Sequence, residues 1–430
     1  MDGYHAYTRH VNPVLGKFLE LTGRDLRLVH AQGGVLEDAE GRRFDDWISG
    51  FGSFNLGHNP EVIKETLREH LSGNAPNLFV ENLNPYAGTL AERLIDACGA
   101  TFETVFFSNS GSEAVEAALK TAILATGKKR VAHAEGAYHG TTLGALACMG
   151  RGLYRDDFNG VLADFPEVPF ADAKALENAL SKEDVAAFIV EPVQIEAGIR
   201  IAGDEYLQDA RKLCDRFGAL LIFDEVHTGM GRTGTLFGWQ HSGVVPDIFT
   251  LAKSLGGGMV PIGAVLMAEG LWRRAYGNYL RCEIHNSTFG GNALACRAAL
   301  KTLDVIGASG FLASVRERGE TLSLQLTQAL EGSRLLERVA WRGLLGGIKL
   351  KDVNHPWLQW ENVGLEELRG RPISGVLVME RLARRNILVQ VCAHDWSVIR
   401  VEPPLTVDPD ACARFVDAMG EAVRWLGENA

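Results

Sequence analysis

Asp224 and Lys253 each stand at the end of an apolar run and carry side chains able to act on one bound molecule. Asp224 closes Ala219-Leu-Leu-Ile-Phe-Asp224. An acid at the end of a buried strand is costly unless it meets a cation. Lys253 follows Ile248-Phe-Thr-Leu-Ala252 and precedes Ser254-Leu-Gly-Gly-Gly258, whose glycines let the backbone pack close to whatever sits there. A lysine amine forms a Schiff base with a carbonyl. An aspartate beside a pyridine nitrogen keeps that nitrogen protonated and makes the ring an electron sink. The two residues are 29 positions apart, about one strand–helix–strand unit, so neighbouring strand ends can hold both in one cleft. Taken singly, each is better read as a structural acid and a solvated amine; together they suggest more.

A second constellation is Ser108-Asn-Ser-Gly-Ser-Glu113, after the run ending at Phe107. Apolar residues then recur at Ala114, Val115, Ala118, Leu119, Ala122 and Ile123, a helical period. Ser110 followed by Glu113 fits a capping box. Gly111 and Ser112 fall in the first turn, where free N–H groups and the helix dipole favour an anion such as phosphate. By itself this segment is more simply an ordinary capped helix after a strand.

These groups need a scaffold. Thr104–Phe107, Ala187–Val190 and Ala219–Phe223 read as buried strands, with helical stretches such as Asp204–Phe217 between them. The alternation predicts an α/β fold with a mostly parallel sheet, whose ligands gather at the carboxyl ends of strands. We expect a large domain over residues 60–310. Residues 1–59 and 311–430 would form a smaller α+β domain, with helices over about 311–332 and 374–386. Lys351 to Pro372, with Trp357 and Trp360, reads as a surface insertion, better taken as a solvated loop with partly buried tryptophans than as a lid or partner contact.

At 430 residues the chain is long enough for two or three domains. Its net charge of −11 argues against nucleic acid or an anionic membrane as main partner. No apolar stretch reaches 18 residues, and the N-terminus lacks the pattern of a signal peptide. Seven scattered cysteines, with no CxxC pair, suggest reduced thiols in a cytoplasm and argue against a metal site.

Several segments together resemble the class III aminotransferases, a family of pyridoxal-5′-phosphate (PLP) enzymes of fold type I. They are Asn55-Leu-Gly-His58, Phe107-Ser-Asn-Ser-Gly-Ser-Glu113, Tyr138-His-Gly140, Glu191-Pro-Val-Gln194, Phe223-Asp-Glu-Val-His-Thr-Gly-Met-Gly-Arg-Thr-Gly234, Ala252-Lys-Ser-Leu-Gly-Gly-Gly258, Ser287-Thr-Phe-Gly-Gly-Asn292 and Arg400-Val-Glu-Pro-Pro-Leu405. The similarity runs from about Asp38 to Leu405, apart from the insertion.

The resemblance implies a role for each matching residue. Lys253 would hold the cofactor as a Schiff base and carry the proton. Asp224 would pair with the pyridine nitrogen. Val226 and Tyr138 would cover the two ring faces, with His139 beside Tyr138. Ser110, Gly111 and Ser112 would seat the phosphate, and Glu191 would support the Asp224 region. Thr288 would reach the PLP phosphate of a partner subunit, which implies a homodimer. Arg400 would grip a substrate carboxylate, and Glu196 would cover Arg400 when none is bound.

Three positions depart from the ornithine-type pattern. His227 replaces a glutamine that contacts the ring's phenolic oxygen. Thr141 replaces an arginine, and Phe51 a tyrosine. Without that arginine, the expected amine or aldehyde lacks a carboxylate at that end, as in diamine (putrescine-type) aminotransferases or a secondary-metabolite step. Glutamate and 2-oxoglutarate would be the second pair. Alternatives are an acetylornithine or ornithine aminotransferase, another class III enzyme such as a mutase, racemase or decarboxylase, and a non-catalytic relative. An NAD enzyme is disfavoured, since no GxGxxG follows an early strand.

Overall fold

A computed structural model describes residues 3–21, 24–99, 102–182, 184–353 and 360–429. Its largest sheet has seven strands. In spatial order they are Phe102–Ser108, Gly263–Ala268, Ile248–Leu251, Leu220–Asp224, Val185–Val190, Arg130–Ala134 and Glu167–Val168. Gly263–Ala268 runs antiparallel to both neighbours, while the other pairings are parallel. The central strands are buried at every position, which is why they read as unbroken apolar runs rather than alternating ones.

The helix Gly111–Thr126 turns Ala114, Val115, Ala118 and Ala122 into one face of this sheet. Helices Asp204–Phe217 and Ala293–Ile306 contribute to the apolar cluster that includes Phe188, Phe223 and Phe249. Parallel strands, the central three wholly buried, therefore end at a common edge.

Two further four-stranded sheets involve the last third of the chain. One joins Leu28–Gln32, Val35–Asp38 and Arg43–Asp46 to Ile387–Leu388, the last pairing being parallel. The other contains Leu336–Arg342, Leu345–Leu350, Val398–Val401 and Gln390–Val391. Trp47 stacks on Phe415 at 4.0 Å, so the N-terminal segment and the last helix share one core. The two expected late helices span Phe311–Ala329 and Ser374–Arg384.

One expectation needs correction. Asp224 and Lys253 do lie beyond adjacent parallel strands, but no α-helix joins those strands. Residues 225–247 form a glycine-rich loop with one short 3-10 turn, Gly238–His241. The buried Glu225 carboxylate braces that loop by accepting the N–H groups of Gly238 and Trp239. Within the proposed surface insertion one tryptophan is anchored. Trp360 is buried, donates its indole N–H to the Arg371 carbonyl, and meets Trp396 edge-on. Trp357 lies outside the described residues. Among the described residues, no single helix is long and apolar enough to cross a membrane.

Candidate active site

The common strand edge places Asp224 opposite Thr250 in the ladder, three residues before Lys253. Asp224 Oδ1 accepts from the Thr250 hydroxyl at 2.9 Å and from the Val226 N–H at 3.0 Å. Its Oδ2 lies 2.7 Å from Nδ1 of His139. A carboxylate accepts about four hydrogen bonds, so roughly one lone pair of Oδ2 is left for a donor in the cleft. Burial alone would depress the His139 imidazole, but its hydrogen bond to Asp224 holds it above the ordinary range. Glu191 stands behind this pair and accepts the N–H groups of Tyr138 and Ile195. Burial pushes its carboxyl up to about 7; the His139 charge opposes this and that of Asp224 adds to it.

Lys253 opens a short 3-10 turn, Lys253–Gly256, with a left-handed φ of 47°. A non-glycine residue there carries strain of order 1 kcal/mol, of the kind that persists where surrounding structure fixes a functional side chain. Burial, reinforced by the charge of Arg400, lowers the amine to about 8. Nζ lies 2.5 Å from Nδ1 of His227, whose Nε2 lies 3.1 Å from Oε1 of Glu402.

Arg400 is wholly buried on the strand Val398–Val401. Glu402 Oε1 takes both its Nε at 3.0 Å and its Nη2 at 2.7 Å. Nη1 donates to Glu196 Oε1 at 2.7 Å, and the other Glu196 oxygen accepts the Ala393 N–H. Burial favours the neutral form of Glu196, but Arg400 outweighs it and keeps the carboxyl ionised. The guanidinium lies 5.2 Å from the centre of the Phe51 ring.

At the other end, the Ser110 hydroxyl accepts the Glu113 N–H and caps Gly111–Thr126. The return bond of the expected capping box reaches one residue further, from Asn109 N–H to the Glu113 carboxylate. Glycine is needed at 111, because a Cβ there would sit 2.9 Å from a Val226 methyl.

Every predicted cofactor residue except Thr288 lines one cavity of about 500 Å³, together with Glu196. Arg400 is not among the lining residues and is bonded through Nη1 to Glu196, which is. Phe51 and Thr141 are exposed outside the cavity, the latter with its N–H on the Ser112 hydroxyl. Thr288 is exposed and also outside.

Sequence reasoning assigned no role to Thr250, Glu402, Phe54 or the wall formed by Met259, Val260, Pro261 and Ile262. Glu402 did leave a signal. It stands two residues after Arg400, and alternate residues of a strand share a face.

A profile of the class-III aminotransferases matches residues 22–423. The chain belongs to this family. Members catalyse PLP-dependent transamination, moving an amino group between small amine and keto-acid substrates. The chain is 36% identical to the aminotransferase PigE of a Serratia species over 450 aligned residues, covering 97% of this chain but 52% of that one. It thus spans about half the length of that relative. Among solved structures, the ornithine aminotransferase of Toxoplasma gondii superposes with a TM-score of 0.83 at 26% identity, covering 94% of this chain and 92% of the other. An amine transaminase from an uncultivated Pseudomonas species, in its PLP-bound form, gives 0.82 at 27%, covering 94% and 96%.

The residues present fit PLP. An acceptor site on a buried carboxylate, a buried amine and a helix N-terminus trimmed by glycine line the same cavity, matching a pyridine nitrogen, an aldehyde and a phosphate.

Proposed function

We propose that this aminotransferase moves an amino group between glutamate or 2-oxoglutarate and an amine or aldehyde that lacks an α-carboxylate, such as a diamine or a secondary-metabolite aldehyde. The observation that carries the reading is the asymmetry of cationic seats. Arg400 offers one carboxylate site, at the Nη1 group that Glu196 covers, whereas Thr141 brings no charge to the opposite end.

Bound PLP supplies a carbonyl carbon that condenses with amines and a ring that takes up the electron pair freed when a C–H bond breaks. In our reading, Asp224 pairs with the ring nitrogen, and His139 and Thr250 hold its carboxylate in place. Tyr138 covers one ring face and Val226 the other. Ser110, Gly111 and Ser112 present their N–H and hydroxyl groups to the phosphate. Lys253, once released, takes a proton from the substrate carbon and returns it elsewhere. An amine near 8 is well matched to that task at neutral pH. Glu196 covers Arg400 for a substrate without a carboxylate and gives way to one that has it.

The assembly we propose is a homodimer that contributes Thr288 to the partner's phosphate seat. Its position outside the cavity of its own chain supports this. So does the exposure of Leu83, Tyr279, Leu280 and Phe289, on segments tied by the bond from Asn84 to the Gly291 carbonyl. Free thiols at all seven cysteines suit a reducing, cytoplasmic location.

The test is the absorbance of the PLP-loaded protein after adding one amine with no acceptor. L-Glutamate and putrescine are expected to convert the band of the lysine-bound cofactor to that of the aminated cofactor. Conversion by ornithine or N-acetylornithine, with none by carboxylate-free amines, would overturn the substrate reading.

A further inference from the structure

Glu402 binds two groups that the transamination reading treats separately. Its Oε1 carries the two Arg400 donors and also lies 3.1 Å from Nε2 of His227. Both side chains are buried, so solvent does not screen the contact. The Nε2–Oε1 contact is close but lies off the ideal hydrogen-bond direction. Its electrostatics still decide the tautomer. A ring nitrogen lone pair facing a carboxylate at that distance is repelled, whereas an N–H is attracted. This favours a ring proton on Nε2, which leaves Nδ1 with its lone pair. That lone pair is what Nζ of Lys253 meets at 2.5 Å.

We propose that Glu402 and His227 form an anchor for the free amine of Lys253, in which Glu402 fixes the imidazole tautomer and His227 Nδ1 accepts an N–H of Nζ. His227 and Glu402 are then positioning residues that act through the lysine. No bond to carbon changes and no electron moves. The proton rests on the lysine, because burial and the Lys253 charge hold the imidazole down at about 4 even against Glu402.

The charged groups around the amine are Arg400, Glu402, Glu196 and Asp224; those around the imidazole are Glu402, Lys253 and Arg400, with Arg232 also facing Glu402. Because Glu402 holds Arg400 by two bonds, a substrate carboxylate can replace Glu196 on Nη1 without disturbing the arm that reaches Lys253. The amine is thereby kept in one place through both halves of the exchange. This purpose rests on Lys253 being the cofactor lysine, but the anchor itself can be measured without the cofactor.

The experiment follows carbamylation of Lys253 by cyanate across pH in the full-length, PLP-free chain, by peptide mass spectrometry. Wild type should show a midpoint near 8. His227→Leu removes the acceptor from the ammonium and should lower the midpoint by roughly one pH unit, making carbamylation up to about tenfold faster below it. His227→Gln, which retains an acceptor oxygen, should restore most of the wild-type profile. A leucine variant with the wild-type profile would overturn the anchor. If that variant does not fold, His227→Asn, too short to reach Nζ, replaces it against His227→Gln with the same two outcomes. Nitrogen-15 NMR of histidine-labelled protein gives the second readout, with the His227 signals assigned by their loss in His227→Gln. A protonated Nε2 is expected, and a protonated Nδ1 would overturn the proposal. Failure of Lys253 to capture PLP in wild type would instead refute the cofactor role, leaving the anchor measurement intact.

Discussion

Removing Glu402 should be among the most damaging single changes in the chain. Arg400 is wholly buried and cannot shed its proton, so Glu402→Ala leaves Nε and Nη2 without their acceptor in a dry site. Breaking a buried ion pair from one side costs about 3–5 kcal/mol. Glu196 still neutralises Nη1, which places this case toward the lower end of that range. Glu402→Gln keeps an acceptor oxygen but loses the charge. Hydrogen bonds to charged groups contribute about 1.5–3 kcal/mol and neutral ones about 0.5–1.5, so the amide should cost roughly half as much. The assay is urea unfolding of the three proteins side by side, with the sheet core and the Trp47–Phe415 region monitored separately to detect uncoupled transitions. Alanine and glutamine variants that both unfold within about 0.5 kcal/mol of wild type would refute the buried-charge argument. The Glu402 carboxyl is held far below the ordinary range by Arg400, against the pull of burial. Its contribution is therefore complete above the usual carboxylate range and is lost only as pH falls well below it.

Three other outcomes are expected. Gly111→Ala sets a methyl 2.9 Å from Val226 and should weaken PLP binding by about tenfold or more, measured by equilibrium dialysis, and cost the PLP-free protein about 1 kcal/mol or more in thermal unfolding. Glu191 has a folded value raised to about 7, so its neutral form is favoured below the ordinary carboxylate range, and that advantage is lost as pH rises through about 7. Glu191→Gln should accordingly gain stability relative to wild type between pH 5 and 8, by on the order of 3 kcal/mol, and a difference in unfolding that does not vary with pH would contradict this. Thr288→Ala should weaken PLP binding although the residue lies outside its own chain's cavity, and unchanged affinity would remove the partner's contribution.

Much of this site was legible because its residues stand at the ends of elements. Asp224 and Lys253 could be found from apolar runs that stop at a charge, and the capped helix start at Ser110 from a serine followed by glycine and a helical period. The resemblance then pointed to Tyr138 and Glu191, which line the cavity, and to Thr288, which does not; periodicity distinguishes none of them from core or loop. The connection between the two key strands misled, because length alone does not separate a crossover helix from a glycine-rich loop braced by a buried glutamate. Glu402 was passed over because its meaning depends on a third element. The alternation with Arg400 was visible, but the contact with His227 exists only once the strand Val398–Val401 and the loop after Asp224 meet.

The one reversed strand of the large sheet, Gly263–Ala268, limits how this cleft can be remodelled. Because it enters at the edge where its neighbours leave, the eleven residues from Ala252 to Ile262 must both carry Lys253 and build the wall that faces it. The length of that connection is shared between two duties. Side-chain exchanges at Met259, Val260 or Ile262 can reshape the room for a substrate, whereas an insertion or deletion there would drag the lysine out of register with Asp224. Engineering of new amine preferences in this scaffold is thus confined to substitution along this wall, and changes in loop length belong on the exposed side around Phe51 and Thr141.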